Sequence, residues 1–257
     1  MNLKELNEAN IINLSALWKK MGIQKCTDNS ISTLHSSVSW PYRCWFDWET
    51  NAFEISFLDK TFNELDNNYI VPVWGGLAES VSILEKTLID YAFEISFEQT
   101  AMYLNLENYD ILGQHNLEVS TITSEQDVEI WTNIAAESFG YVIDVSVIHK
   151  IANTPDVELL LAYIDDQPAA TAMLFRTGDI IGVHQVGVLQ KYREKGVARV
   201  FMQYIIERCI EQTAKYITLQ ASVEGESLYR KLGFEQQFMI QNYQRISIKL
   251  NKKRRII

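Results

Sequence analysis

The sequence predicts an α/β protein in two parts, and three observations carry that prediction. From residue 117 onward the pattern reads strand, helix, helix, three consecutive strands, helix, strand, helix, strand. Residues 186–198 begin as a strand, pass through a short polar turn and enter a helix, with Gly196 at its start. The chain has 257 residues, 47% hydrophobic and 11% aromatic, enough for one large domain or two modest ones with a sizeable core.

The first part opens with an amphipathic helix over 6–21, with Ile11, Leu14, Leu17, Trp18 and Met21 at helical spacing and Gly22 as the stop. The Ser/Thr-rich run 27–39 reads as a loop. Residues 40–48 hold three tryptophans in nine positions with strand-like alternation. They read as a core strand, or as an aromatic wall for a substrate. A helix over 58–65 and a strand over 69–74 follow, Pro72 marking the strand as an edge or a bulge. A second amphipathic helix spans 78–91, with Val81, Leu84, Leu88 and Tyr91 on one stripe. A strand covers 94–106. The polar run 108–116, with Gly113, is the expected boundary. The parts are then 1–112, a smaller α/β domain, and 117–250, followed by a solvated basic tail at 251–257.

In the second part, residues 117–122 alternate as a strand. Thr123 or Ser124 caps a helix that runs to 138, with Asp127 three residues after Ser124. Phe139-Gly140-Tyr141 breaks it, and a short helix covers 144–151. Strands at 157–164, 169–175 and 180–188 form a meander joined by turns at Asp165-Asp166 and Gly178-Asp179. The helix 195–211 places Ala198, Phe201, Met202, Ile205, Ile206 and Cys209 on one face, to pack on the sheet. A strand at 216–220, a helix through Leu228 and Tyr229 with Gly233 as its stop, and a strand over 234–248 complete the chain.

Bulk charge narrows the function. The net charge is −10. Residues 1–115 carry 16 acidic against 7 basic side chains. That argues against nucleic-acid binding, which requires basic surface, and is compatible with cationic substrates or simply with solubility. Cys26, Cys44 and Cys209 are too few and too scattered for a disulfide framework or a zinc site, so no metal is expected. No charged-then-apolar leader opens the sequence, and no apolar run approaches the ~20 residues that span a bilayer. A cytoplasmic protein without a membrane partner is the expectation.

The chemistry concentrates at Gly196. Glycine inside a helix costs about 1 kcal/mol relative to alanine, so its place here needs a reason. The first turn of a helix has N–H groups without internal partners and the positive end of the macrodipole. A small residue there lets an anion such as a pyrophosphate reach those donors.

Arg193-Glu194-Lys195-Gly196-Val197-Ala198 fits the (Gln/Arg)-x-x-Gly-x-(Gly/Ala) acetyl-CoA motif. Leu228-Tyr229-Arg230-Lys231-Leu232-Gly233-Phe234 is similar to a Leu-Tyr-x-x-x-Gly-Phe segment. With their spacing and the element order, about 130 residues resemble the GCN5-related N-acetyltransferase (GNAT) superfamily. The resemblance implies that family's acyl-CoA N-acyltransferase fold, a mixed, mostly antiparallel sheet flanked by helices. It implies acetyl-CoA as co-substrate, its pyrophosphate held by main-chain N–H groups of 194–199: Glu194, Lys195, Gly196, Val197, Ala198 and Arg199. Arg193, Lys195 and Arg199 add positive charge. The pantetheine arm would pair with Val186, Gly187 and Val188, where two parallel strands splay. Tyr229 would protonate the departing thiolate. The strand 180–186 holds no carboxylate, which leaves His184 as the titratable group for a base or substrate contact. Glu137 and Tyr141 are candidates for the acceptor side. The pattern departs from the family at Gln190, usually Pro, at Glu194, usually Gly, and at Ser222, usually Asn, which can still hydrogen-bond the cofactor.

Residues 91–97 faintly echo 232–238, so the first part is expected to be a degenerate GNAT-like half or a helper that shapes the acceptor pocket. The implied reaction is acetyl transfer to a small-molecule or peptide amine by direct attack, since no cysteine is placed to form an acyl-enzyme. An acyl-CoA-binding regulatory module and an aminoacyl- or peptidyl-transferase on a tandem GNAT fold are the alternatives.

Overall fold

The computed structural model describes residues 1–26, 34–48, 50, 54–75, 80–107, 109–110 and 117–246. The expected boundary at Gly113, the basic tail, the last strand beyond 246 and the start of the helix at 78 lie outside them.

Helix α1 (Leu3–Met21) starts at an Asn2/Glu5 capping box and stops at Gly22, φ 135°. Its inner face carries the expected apolar stripe, but also two buried amides, Asn10 and Asn13. Three short strands follow, β1 (Ile23–Cys26), β2 (Leu34–Ser37) and β3 (Cys44–Phe46), paired antiparallel as a small sheet of their own. The expected loop over 27–39 therefore contains strand β2, and the expected strand over 40–48 shrinks to three residues. β2 is Leu34-His35-Ser36-Ser37, a polar segment whose strand state depends on its partners on both sides. Trp45 fills the core behind it.

Next come α2 (Ile55–Glu64), β4 (Ile70–Trp74), α3 (Ser80–Asp90) and the long β5 (Phe93–Asn105). The second part supplies β6 (Glu118–Thr121), α4 (Glu125–Phe139), α5 (Val145–Ala152), β7 (Val157–Ile164), β8 (Gln167–Thr177) and β9 (Ile180–Val188). After a single 3-10 turn at Gln190–Tyr192 come α6 (Val197–Glu211), β10 (Tyr216–Ser222), α7 (Glu226–Lys231) and β11 (Glu235–Arg245). The reciprocal Ser124/Asp127 box opens α4, and Gly140 closes it at φ 74°.

Eight strands form one sheet in the order β4-β11-β5-β10-β9-β8-β7-β6. All neighbours are antiparallel except β9 and β10. β4 is the edge that Pro72 foretells. The sheet crosses the expected boundary at 112–117: β5, from the first part, lies between β10 and β11, both from the second. The echoing segments 91–97 and 232–238 each lead from a helix into a strand, and those strands, β5 and β11, are neighbours in the sheet.

One face of the sheet is covered by α6, through Phe201, Met202, Ile205 and Ile206 against Met102, Leu174 and Ile217. The other is covered by α1, α4 and α5, where Trp131 and Ile148 pack on Leu161 and Met173. A third cluster joins α2 and α3 to β4, β5 and β11 through Phe62, Leu88, Phe93 and Tyr243. Arg208 anchors α6 to β7 through Glu158 at 3.0 Å.

Candidate active site

The site begins where the parallel pair comes apart. β9 and β10 are paired only from Tyr216/Ile180 to Thr218/Gly182. Beyond that point β9 is turned by a bulge against β8, between Thr171 and Met173, with Gln185 in a left-handed conformation at φ 52°. Thr171 Oγ1 donates to the Gln185 carbonyl at 3.2 Å and holds the bulge. The separation leaves the Val186–Val188 edge of β9 without a β10 partner and opens a cleft of about 470 Å³. Val186, Leu219, Gln220, Ser222 and Tyr229 line it.

Gly187 and Val188 lie buried beside Val186 in the same strand. A Cβ on Gly187 would come within 2.9 Å of Ser138 Cβ and 3.1 Å of Phe139 Cε2, so glycine lets the end of α4 close on β9. α6 starts at Val197, two residues later than its sequence pattern suggests. Gly196 is its N-cap, not a helical residue, and sits at φ 80°. Its conformation alone calls for glycine, since a Cβ there would meet nothing within 4 Å. No side chain caps α6, in contrast to the reciprocal boxes that open α1 and α4. The first N–H groups, from Val197, Ala198 and Arg199, thus have no side-chain cap. Glu194 is exposed in a left-handed conformation at φ 61°, and Lys195 and Arg199 are also exposed.

Arg193 does more structural work than the motif implies. Its Nε donates to the Val188 carbonyl at 2.9 Å and Nη2 to the Ser138 carbonyl at 2.6 Å. These bonds tie the end of β9 to the end of α4. Lys191 and Lys195 both lie over the Tyr192 ring, at 4.9 and 5.8 Å, and keep cations on the loop before α6.

Tyr229 reaches the cleft from α7, its ring edge-on to Phe234 at 5.7 Å. Gly225 leaves room for it, since a Cβ there would sit 3.2 Å from Tyr229 Cε2. Burial pushes the phenol up to about 12, so it is protonated at neutral pH. Ser222 Oγ accepts the Gly225 N–H at 3.2 Å, which keeps its own proton free to donate into the cleft.

His184 lines the cleft but is held from behind. Asn13 donates through Nδ2 to the Phe175 carbonyl and to Thr177 Oγ1, each at 2.9 Å. Its Oδ1 must therefore accept, and His184 Nε2, 3.1 Å away, carries the proton. Burial pulls the imidazole down to about 4, against a small upward pull from the Gln220 side chain. The ring is neutral at physiological pH, which makes it a weak proton acceptor.

The two acceptor-side candidates separate. Tyr141 lines the cleft and shares a hydrogen bond with the Gln185 side chain at 3.3 Å. Glu137 points to solvent from α4 and is absent from the cleft wall. It is one position along the helix from the buried Ser138, so the break that marked it in sequence does not decide which face it takes.

The first part also lines the cleft, through Trp18, Trp40, Tyr42, Arg43, Phe97 and Gln99. Trp40 and Trp45 of the tryptophan cluster both belong to the core, with Trp48 packed against it, and Trp40 also lines the cleft. Arg43 carried no signal of its own beyond its place in that cluster. Although the first part is acidic overall, its described residues contribute no carboxylate to the cleft wall. Among the described residues no group of side chains could hold a metal ion, and no helix is long and apolar enough to cross a membrane.

A family model described as "Acetyltransferase (GNAT) domain" matches residues 120–248. The fold is similar to a GCN5-related N-acetyltransferase from Kribbella flavida, with a TM-score of 0.69 at 15% identity over 95% of this chain and 96% of that one. It is also similar to one from Sphaerobacter thermophilus, with a TM-score of 0.61 at 13% identity over 82% of this chain and 75% of that one. A putative GNAT acetyltransferase from Novosphingobium aromaticivorans gives 0.57 at 12% identity over 86% and 92%. No curated protein matches by sequence. The matched segment spans half of the chain and contains the split strands, the uncapped helix and Tyr229, and the chain belongs to the GCN5-related N-acetyltransferase superfamily.

Proposed function

We propose that this protein transfers an acetyl group from acetyl-CoA to an amine by direct attack of the amine on the thioester. The observation that carries the reading is the cleft between β9 and β10, with the uncapped N-terminus of α6 after it and Tyr229 within it. The N–H groups at the start of α6 suit the pyrophosphate. The open edge of β9 at Val186–Val188 suits the amides of the pantetheine arm, which can pair with it as a strand would. Acetyl-CoA supplies the activated acyl group.

The amine nitrogen forms a bond to the carbonyl carbon, the C–S bond breaks, Tyr229 gives its proton to the sulfur, and the proton that the nitrogen sheds on becoming an amide passes through solvent and restores the phenol. A phenol near 12 is a weak acid. The desolvation that raises it also raises a thiolate leaving into the same cleft, so the two stay matched. No carboxylate lines the cleft among the described residues, and His184 is too weak a base to hold an ammonium proton. The amine then reacts as its free base, having lost its proton to solvent. Cys44 and Cys209 are both buried outside the cleft, and neither is placed to form an acyl-enzyme.

The missing carboxylate base also favours a second reading, an acyl-CoA-binding regulatory module with little turnover. Acetyl-CoA at a hundred times its Kd should add about 2.7 kcal/mol of stability by mass action, seen as a Tm higher by several degrees. An unchanged Tm at saturating acetyl-CoA removes both readings. Thiol release with a panel of amines then separates enzyme from sensor.

A further inference from the structure

The cleft wall contains a cation that no described residue neutralises. Arg43 is fixed through its main chain. Its N–H donates to Ser37 Oγ at 3.1 Å, its carbonyl accepts the Ser37 N–H at 2.8 Å, and it bridges Ile70 of β4. The preceding Tyr42 is left-handed at φ 52°, a conformation that costs a non-glycine residue about 1–3 kcal/mol and persists only where its surroundings impose it. Here the Tyr42 carbonyl accepts the Ile70 N–H at 2.9 Å, and its ring meets Tyr69 edge-on at 5.9 Å.

The guanidinium carbon consequently lies 5.8 Å from the Trp18 ring and 5.7 Å from Phe97, at the cleft wall. Its Nε and Nη1 are enclosed and have no hydrogen-bond partner. The described ion pairs all use other cations. Burial draws Arg43 down to about 10, so it is charged at neutral pH. Its field crosses to the β9 side, where it opposes the upward pull of burial on Tyr141. Enclosing a guanidinium with unmet donors is costly unless an anion completes it.

The form of the anion follows from what surrounds the cation. Among the described residues lining the cleft, Arg43 is the only Lys or Arg. One planar guanidinium matches one carboxylate in a two-bond fork, whereas a phosphate dianion would leave charge unmet. The neighbouring rings of Trp18, Trp40, Tyr42 and Phe97 offer apolar surface to the rest of the molecule. We propose that Arg43 receives the carboxylate of the acceptor, so that the substrate is an amine that also bears a carboxylate on an apolar body, as an amino acid does. The assignment rests on the acyltransferase reading above. It explains why a half of the chain with so many carboxylates places an arginine, and among its described residues no acid, on the cleft wall.

The test compares L-amino acids with their own carboxamides as acceptors at saturating acetyl-CoA, in the wild-type protein, Arg43→Gln and Arg43→Lys. The wild type should prefer the acid over the amide by on the order of 10²–10⁴ in kcat/KM, because the amide leaves Arg43 unpaired. Arg43→Gln should bring that ratio near one, and Arg43→Lys should recover part of it. Acetyl-CoA affinity, measured by calorimetry, checks that each variant is folded. N-acetyl amino acids and N-acetyl amino-acid amides, titrated in the presence of CoA, measure the same preference without turnover. If acetyl-CoA binds but no amine releases thiol, this titration still decides on Arg43. Equal affinity for acids and amides in the wild type, or a preference unchanged in Arg43→Gln, overturns the assignment. So does an Arg43-dependent preference for succinyl-CoA over acetyl-CoA, which would put the carboxylate on the donor.

Discussion

His184 makes part of this protein's acid stability depend on one buried ring. Its folded-state value is about 4, against 6.5 for the free side chain, because the imidazole is enclosed between Asn13 and the cleft wall. A depressed value means that the folded state resists the proton. The stabilisation is fully present above pH 6.5 and is lost progressively as pH falls toward 4, where the unfolded chain binds a proton that the folded chain refuses. That window corresponds to about 3 kcal/mol, a large share of the 5–15 kcal/mol typical of a folded domain. Urea denaturation at pH 7.5 and pH 4.5 measures it, with His184→Gln as the comparison. Glutamine can still donate to Asn13 Oδ1 but has nothing to titrate. Carboxylate effects are common to both proteins and cancel, so the variant should lose about 2–3 kcal/mol less than the wild type on acidification. Parallel acid limbs would refute the reasoning and would mean that the ring is hydrated or paired when charged.

Tyr229→Phe should lower kcat by on the order of 10²-fold while changing acetyl-CoA affinity by no more than a few-fold; an equal loss in both would reduce Tyr229 to a packing residue. Gly196→Ala forces a Cβ into a left-handed conformation but into open space, so urea denaturation should show a loss of about 1 kcal/mol, and a larger loss would indicate a clash the structure lacks. A Cβ on Gly182 would fall 1.8 Å from Asn13 Oδ1 and 2.5 Å from His184 Nε2. Gly182→Ala should therefore displace that pair and cost about 2–3 kcal/mol, and an unchanged Tm would show that Asn13 is free to move aside. With no carboxylate among the described residues of the cleft wall, kcat/KM for an alkylamine should rise about tenfold per pH unit up to the amine's own pKa; a plateau starting near neutrality would reveal a titrating group in the protein.

The legible features were those in which neighbours along the chain decide the outcome. The 3.6-residue stripe of α6 and the alternation of β7 to β9 give their own boundaries to within a few residues. The Ser124/Asp127 box and Gly140 enclose α4 because caps act over one turn. Pro72 marked β4 as an edge or a bulge, and β4 is an edge, because a missing N–H is poorly tolerated inside a sheet. The turn before α6 was readable because its glycine answers to a local φ, and because its spacing from Tyr229 follows a family pattern.

The illegible features depend on residues far apart in sequence. Strand β2 has no periodic signal and exists because β1 and β3 flank it. The insertion of β5 between β10 and β11 is a choice among sheet edges, which hydrophobic alternation does not encode. His184 read as the titratable group of its strand, and only the fold shows that burial keeps it neutral and that Asn13, 171 residues away, holds its ring. Arg43 was one arginine in an aromatic run until Ile70, Trp18 and Phe97 enclosed it. The sequence by itself determined most helices and the long strands, the glycine turn before α6 and the family. The tertiary structure decided which side chains are desolvated together, and a charge or a proton affinity changes only when distant segments exclude water from it.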